Sequence, residues 1–351
     1  MLARRKKSIL FGVKLAIGLL LLAFLVVNDG NAKKLVEVFA GVRLIYLVPF
    51  LAWSGLIIGI SCLKWRLFIQ HERSLPFSRL FLMYLIGMFF NNFLPSSFGG
   101  DAVRSYLLGQ QVGSGSQALA SVFLERLTGF LAMVSLALLA FLLTPALQED
   151  VLVQWTVLGI AGLTGGIVLA LWRPGWIQQG LMRISAGSRV ARWGAKLERF
   201  HACIQSFRHQ PRVLMMAMAY SYGFYVLGVV NVYLAGQLLG IRCDLGQLFV
   251  VVPIVMLIAA LPLTPNGLGV WEWAFSVYLT AAGTFPEQGL AIALVIRGKA
   301  LLISLLGGAL FLLDGSMLRL REQPVKTPTS FEETAWQGTV DQGLPASQDE
   351  H

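Results

Sequence analysis

Asn91-Asn92-Phe93-Leu94-Pro95-Ser96-Ser97-Phe98-Gly99-Gly100-Asp101-Ala102-Val103-Arg104 interrupts a chain otherwise dominated by long apolar runs. Proline, paired glycines and then two ionisable residues cannot simply prolong a lipid-facing helix. The run that leads in, Leu80–Leu94, reaches only about 22 Å at roughly 1.5 Å per residue, short of a hydrocarbon core of about 30 Å. The same happens again further on. The run Leu248–Leu263 enters Pro262-Leu263-Thr264-Pro265-Asn266-Gly267-Leu268-Gly269-Val270-Trp271-Glu272 and returns to apolar sequence at Trp273–Ala282. Both read as re-entrant or broken-helix hairpins.

Six further runs are long enough to cross as helices: Ser8–Val27, Leu44–Leu63, Ala118–Leu143, Val151–Trp172, Val213–Leu239 and Gly289–Leu313. Of 351 residues, 56% are hydrophobic and 13% charged, about half the charge of a soluble domain. The expected fold is therefore an all-α polytopic membrane protein with six full spans and two hairpins. Arg4, Arg5, Lys6 and Lys7 precede the first run, which is long for a signal peptide and lacks a small-residue cleavage site, so it reads as an uncleaved helix.

Residues 1–321 carry 27 basic and 12 acidic residues, a net +15, whereas 322–351 carry six acidic residues and one Lys. The positive excess is distributed by side of the membrane. With the N-terminus inside, the inner loops collect 18 Lys and Arg (among them Lys64, Arg66, Arg73 and Arg79), and the outer loops only Lys33, Lys34, Arg43 and Arg242. That asymmetry orients both termini to the cytoplasm and accounts for the basic charge without nucleic acid. Residues 1–321 form the expected transmembrane domain. Within it, 173–212 alternates apolar and basic residues as an amphipathic cytoplasmic segment does; 322–351 reads as a disordered acidic tail. Three scattered cysteines and four histidines supply neither a disulfide framework nor a metal site, and no cofactor is expected. Gly99-Gly100-Asp101 lacks the Lys-Ser/Thr element of a phosphate loop.

The hairpins divide the spans into two units of opposite topology. Each unit has two spans, a hairpin and a final span, and paired breaks in inverted halves point to a transporter's substrate site. Gly99, Gly100, Gly267 and Gly269 would let backbone amides approach an anionic headgroup beside Asn92. Ionisable residues inside spans cost about 2.5–3.5 kcal/mol each on insertion scales, so each needs a partner or a purpose. Arg104, Arg126, Arg297 and Lys299 are the candidate headgroup ligands, since guanidinium binds phosphate oxygens bidentately. Asp101, Glu125 and Glu272 are the candidate charge-pairing or coupling groups. Glu125 and Arg126 are adjacent and diverge by about 100° on a helix, so each must find its partner elsewhere. The alternative is a set of purely structural salt bridges. Gly55-x-x-x-Gly59, Gly162-x-x-x-Gly166 and Gly236-x-x-x-Gly240 read as helix-packing sites, and Trp53, Trp65, Trp172 and Tyr220 as interfacial anchors.

Asn92-x-x-Pro95-Ser-Ser-Phe-Gly-Gly-Asp-x-x-Arg104, Glu125-Arg126-Leu-Thr-Gly129 and Pro265-Asn-Gly-Leu-Gly-Val-Trp-Glu272 resemble, in this order, the lysylphosphatidylglycerol synthase transmembrane-region family, also called flippase-like domain proteins. The resemblance covers about residues 8–315. It implies a bacterial or archaeal cytoplasmic membrane protein that moves an anionic, phosphate-bearing or polyprenyl-linked lipid between leaflets. No aminoacyl-transferase domain is read after Arg321, so the stand-alone branch, without intrinsic catalysis, is the expectation. Asn266 stands where the family is expected to favour a small residue such as Gly. The expected partners are lipids with anionic headgroups and, further, a lipid-modifying or glycosyltransferase enzyme. The competing expectations are an intramembrane enzyme or accessory subunit of lipid or glycan modification, with Asp101, Glu125 and Glu272 as acid and base, and a non-transporting scaffold.

Overall fold

The computed structural model describes residues 2–27, 31–69, 75–93, 99–143, 151–172, 200, 202–207, 210–259 and 264–313. The tail 322–351, most of 173–212, and Leu94–Phe98 and Pro262–Leu263 of the two breaks lie outside the described residues. Eleven α-helices carry the architecture among those described: α1 (Leu2–Val27), α2 (Asn31–Ala40), α3 (Leu47–Leu67), α4 (Phe77–Phe93), α5 (Gly99–Val112), α6 (Gly115–Leu143), α7 (Val151–Trp172), α8 (Pro211–Leu238), α9 (Leu245–Ala259), α10 (Val270–Ala281) and α11 (Pro286–Leu313). Strands are absent from the described residues. Among the described residues, four helical stretches are long and apolar enough to cross a membrane: Leu44–Leu67, Gly115–Leu143, Pro211–Leu238 and Pro286–Leu313. The protein is an all-α membrane protein.

Its surface is inverted relative to a soluble fold. Ile45 and Leu313 are 81% exposed, whereas Arg104 is 2% exposed and Glu272 fully buried. Apolar side chains face outward because lipid is the solvent, and the ionisable groups turn inward where protein can pair them.

Each break separates two short helices. The 17 residues of α4 and 14 of α5 cover about 25 and 21 Å, and the 15 of α9 and 12 of α10 about 22 and 18 Å, so none of the four spans alone. The limbs pack on each other, α4 on α5 and α9 on α10. Each second limb packs on the long helix that follows it, α5 on α6 and α10 on α11. Each first limb crosses to the other half of the chain: α4 lies along α11, and α9 along α6. Helices α3 and α8 pack against one another. The largest apolar core joins Phe50 of α3, Val232 and Ala235 of α8, Val252 of α9, Phe275 of α10 and Leu290 of α11.

The sequence reading missed α2, whose stretch counted as an outer loop. Leu35 inserts into that core while Lys33, Lys34 and Glu37 stay exposed, and α2 rests on α11 and α1. The last part of the 173–212 segment is also more than a surface helix: Ile204 and Phe207 are buried against Phe68, Leu124 and Ala217.

Close packing is carried by other glycines than the spaced pairs. Gly55, Gly59, Gly162 and Gly166 have nothing within 4 Å of an added Cβ, so these two repeats are not packing sites among the described residues; in the third, Gly236 meets its near neighbours Ile241 and Cys243, and Gly240 stands at ordinary contact distance from the Gly41 carbonyl and Arg43. In contrast, a Cβ on Gly100 would overlap the Gly87 carbonyl across the first hairpin, and one on Gly307 the Leu85 carbonyl of α4. Gly100→Ala is expected to cost about 1–3 kcal/mol through forced separation of the limbs, whereas Gly162→Ala should be close to neutral. Thermal unfolding of the two variants in detergent checks this contrast.

Candidate functional site

The first hairpin, α3 and α6 bring five ionisable side chains together. Asp101, in the first turn of α5, receives two arginines: Arg104 Nη2 donates to its Oδ1 at 2.8 Å, and Arg126 Nε lies 2.9 Å from Oδ2 with Nη2 3.0 Å from Oδ1. Glu125 lies on the other side of Arg104, with Nη2 3.0 Å from Oε2. Lys64 of α3 approaches Glu125 Oε1 at 3.6 Å and donates to Ser221 Oγ of α8 at 3.3 Å. The guanidinium carbon of Arg104 sits 5.0 Å from the Trp65 ring centre and 4.5 Å from that of Tyr84. Arg104 is thus held by two carboxylates and two aromatic faces, an arrangement suited to a delocalised planar cation.

Adjacent Glu125 and Arg126 do part company. Glu125 turns inward to Arg104 and Lys64, while Arg126 reaches Asp101 and leaves 53% of its side chain exposed. Arg126 is the accessible cation of the cluster, and Arg104 its buried hub. Arg104 Nη1 is buried and has no hydrogen-bond partner among the described residues.

The second hairpin has its own pair. Arg297 of α11 binds Glu272 and donates from Nη2 to the Gly267 carbonyl at 3.3 Å and from Nη1 to the Asn266 carbonyl at 3.5 Å. Glu272, third residue of α10, also accepts the Gly269 N–H at 2.7 Å, so it caps the helix it belongs to. Asn266 has φ +50°, a left-handed backbone that favours Gly and tolerates Asn, which explains physically why Gly was the expected residue there. Its side chain donates to Asn92 Oδ1. The two breaks, 174 residues apart, therefore meet.

Several expected ligands have other occupations. Gly99, Gly100, Gly267 and Gly269 are buried; the Gly100 N–H is taken by Asn91 Oδ1 at 2.8 Å, and a Cβ on Gly269 would overlap the Gly18 carbonyl of α1. Gly100 and Gly269 permit close approach of neighbouring helices, and their amides are used within the chain, by Asn91 and Glu272. Lys299 lies apart from both clusters. Its ammonium donates to the Phe50 carbonyl at 2.9 Å and to Asn231 Oδ1, and stands 3.6 Å from the Phe50 ring centre. It ties α11 to α3 and α8. Lys299→Met is expected to lower the unfolding temperature in detergent while leaving dependence on lipid headgroup unchanged; a changed headgroup preference would put Lys299 back in the site.

Lys64 and Trp65 require the opposite correction. Lys64 was counted as an inner-loop charge and Trp65 as an anchor, yet they are 6% and 0% exposed, and Trp65 Nε1 donates to Ser121 Oγ of α6 at 3.1 Å. The apolar run Leu44–Leu63 stops one residue before Lys64, whereas α3 continues to Leu67, so Lys64 falls inside the helix rather than beyond it. Metal-binding groups of three or more His, Cys, Asp or Glu are absent among the described residues.

The family model described as the lysylphosphatidylglycerol synthase transmembrane region matches residues 11–308. The chain belongs to this family. All of the charged residues named above, from Lys64 to Lys299, fall within the lysylphosphatidylglycerol synthase transmembrane region, as do both breaks. Similar relatives include a UPF0104 membrane protein of Methanothermobacter thermautotrophicus, 25% identical over 72% of this chain and 80% of that protein. Another, from Pyrococcus horikoshii, is 24% identical over 78% of this chain and 86% of that protein. The glycosyltransferase AglD of Haloferax volcanii is 27% identical over 51% of this chain, a match that covers 28% of AglD.

Proposed function

We propose that this protein is a lipid translocase of the cytoplasmic membrane, without catalysis of its own, that moves an anionic or phosphate-bearing lipid, polyprenyl-linked lipids included, between leaflets. The observation that carries the reading is the meeting of the two breaks through Asn92 and Asn266, together with a half-exposed arginine, Arg126, bound to Asp101 in the first turn after the first break. Non-helical backbone at membrane depth is tolerated where protein or a polar path surrounds it, and paired broken helices are how transporters build a site at the midplane.

In this reading α1, α3, α6, α7, α8 and α11 are six full spans, and α4–α5 and α9–α10 are hairpins entering from opposite sides. An inverted repeat is supported by the packing, in which partners match by position: α4 with α11 and α9 with α6, α5 with α6 and α10 with α11, α3 with α4 and α8 with α9. The excess of Lys and Arg in the inner loops supports cytoplasmic termini. Arg126 and Asn92 take the headgroup, Asp101, Glu125 and Glu272 hold the arginines, and rocking of one half against the other opens the path.

The reading predicts that transport requires the breaks to separate. In a chain lacking Cys203 and Cys243, with Cys62 fully buried, Asn92→Cys and Asn266→Cys joined by a short bis-methanethiosulfonate should stop lipid movement, and reduction should restore it. Movement that continues at full rate through the cross-linked protein would sink the proposal. The second reading, an accessory of glycan or lipid modification, is favoured by the likeness to part of AglD. It predicts a covalent change in lipid headgroups that depends on this protein, with sidedness unaltered.

A further inference from the structure

The first cluster contains three cations, Lys64, Arg104 and Arg126, against two carboxylates, Asp101 and Glu125. Among the described residues one positive charge is left over. Glu272 and Arg297 cancel at the second break, and Lys299 is bound elsewhere to neutral acceptors. The surplus coincides with unused donors: Arg104 Nη1 is buried and unpartnered in a residue 2% exposed, and Arg126 keeps half of its side chain free. A buried guanidinium nitrogen without an acceptor is costly and marks a place for an acceptor from outside the chain. Both carboxylates are already engaged, so the described residues offer it none.

We infer that the headgroup completing this cluster carries a single negative charge on a phosphodiester, with its oxygens on Arg126 and on the free Nη1 of Arg104. The inference rests on the translocase reading and narrows its substrate. A diester brings one charge and cancels the surplus. A zwitterionic headgroup carries an ammonium that competes with the cluster for the same phosphate, and a monoester or diphosphate brings more charge than the site can balance in a low dielectric. The requirement for one charge follows from the count, and the requirement for phosphate oxygens from the planar guanidinium donors.

The test compares tail-labelled phosphatidylglycerol, phosphatidylethanolamine and phosphatidic acid in otherwise identical proteoliposomes. Phosphatidylglycerol should move about tenfold faster than either of the others, the effect of one charge-assisted hydrogen bond. Arg126→Gln, which brings the count to zero, should erase that preference. Soluble sn-glycero-3-phosphoglycerol should compete with the lipid better than inorganic phosphate does. Equal rates for the three lipids, preference for phosphatidic acid, or stronger competition by inorganic phosphate would overturn the assignment while leaving the translocase standing. Absence of protein-dependent movement for every lipid would remove the translocase and this inference together.

Discussion

Arg104→Ala should yield little or no monodisperse protein, because the substitution removes the hub while leaving its partners in place. Asp101 and Glu125 would remain buried with fewer cations, Trp65 and Tyr84 would lose the group between them, and a cavity would open beside Gly87, which lies against the Arg104 side chain. Breaking a buried ion pair from one side costs roughly 3–5 kcal/mol, since an uncompensated charge is left behind. Arg104→Lys should fare little better, because an ammonium cannot reach two carboxylates and stack on two rings in the same way. The informative companion is Arg104→Met with Glu125→Gln, which lowers charge on both sides and should recover part of the yield. Size-exclusion profiles and unfolding temperatures of the three variants decide the point. A well-folded Arg104→Ala protein would mean that the cluster is dispensable to the fold.

Arg126→Gln should do the opposite, leaving the fold intact and disabling transport. Half of this side chain is exposed and it binds one carboxylate that Arg104 also binds, so its loss leaves Asp101 partnered. The unfolding temperature should fall far less than in Arg104→Ala, because Asp101 keeps Arg104 and the Arg126 side chain is half exposed. Movement of phosphatidylglycerol should nonetheless fall about tenfold, because the accessible phosphate ligand is gone. Matched Arg104 and Arg126 variants thus separate the buried hub from the working face of one cluster. If Arg126→Gln moved lipid at the parent rate, the accessible arginine would have no part in transport.

Much of this architecture was legible before any coordinates. Apolar runs locate helices in lipid whatever their phase, because every face is apolar, and Pro95 with Gly99-Gly100, and Pro265-Asn266-Gly267, each following a run too short to span, mark the breaks. That Glu125 and Arg126 need separate partners followed from helix geometry, and the partners, Arg104 with Lys64 and Asp101, are those charges. What stayed hidden was pairing between distant segments. Lys64 sits 61 residues before Glu125 and looks like an ordinary inner-loop charge until α3 is seen to continue past it. Lys299 looks like a companion of Arg297, yet two residues along a helix it faces Phe50 and Asn231 instead. The same limit explains the glycines: spacing predicts that small residues share a face, but only the neighbouring helix decides whether Gly100 is needed and Gly162 is not.

The most direct measurement is transbilayer movement of tail-labelled phosphatidylglycerol in proteoliposomes holding the full chain, read as the fraction protected from a membrane-impermeant quencher over time. The account predicts movement that scales with protein content and falls about tenfold in Arg126→Gln at equal reconstitution. Movement no faster than in protein-free vesicles, for this lipid and for the other headgroups alike, would contradict it.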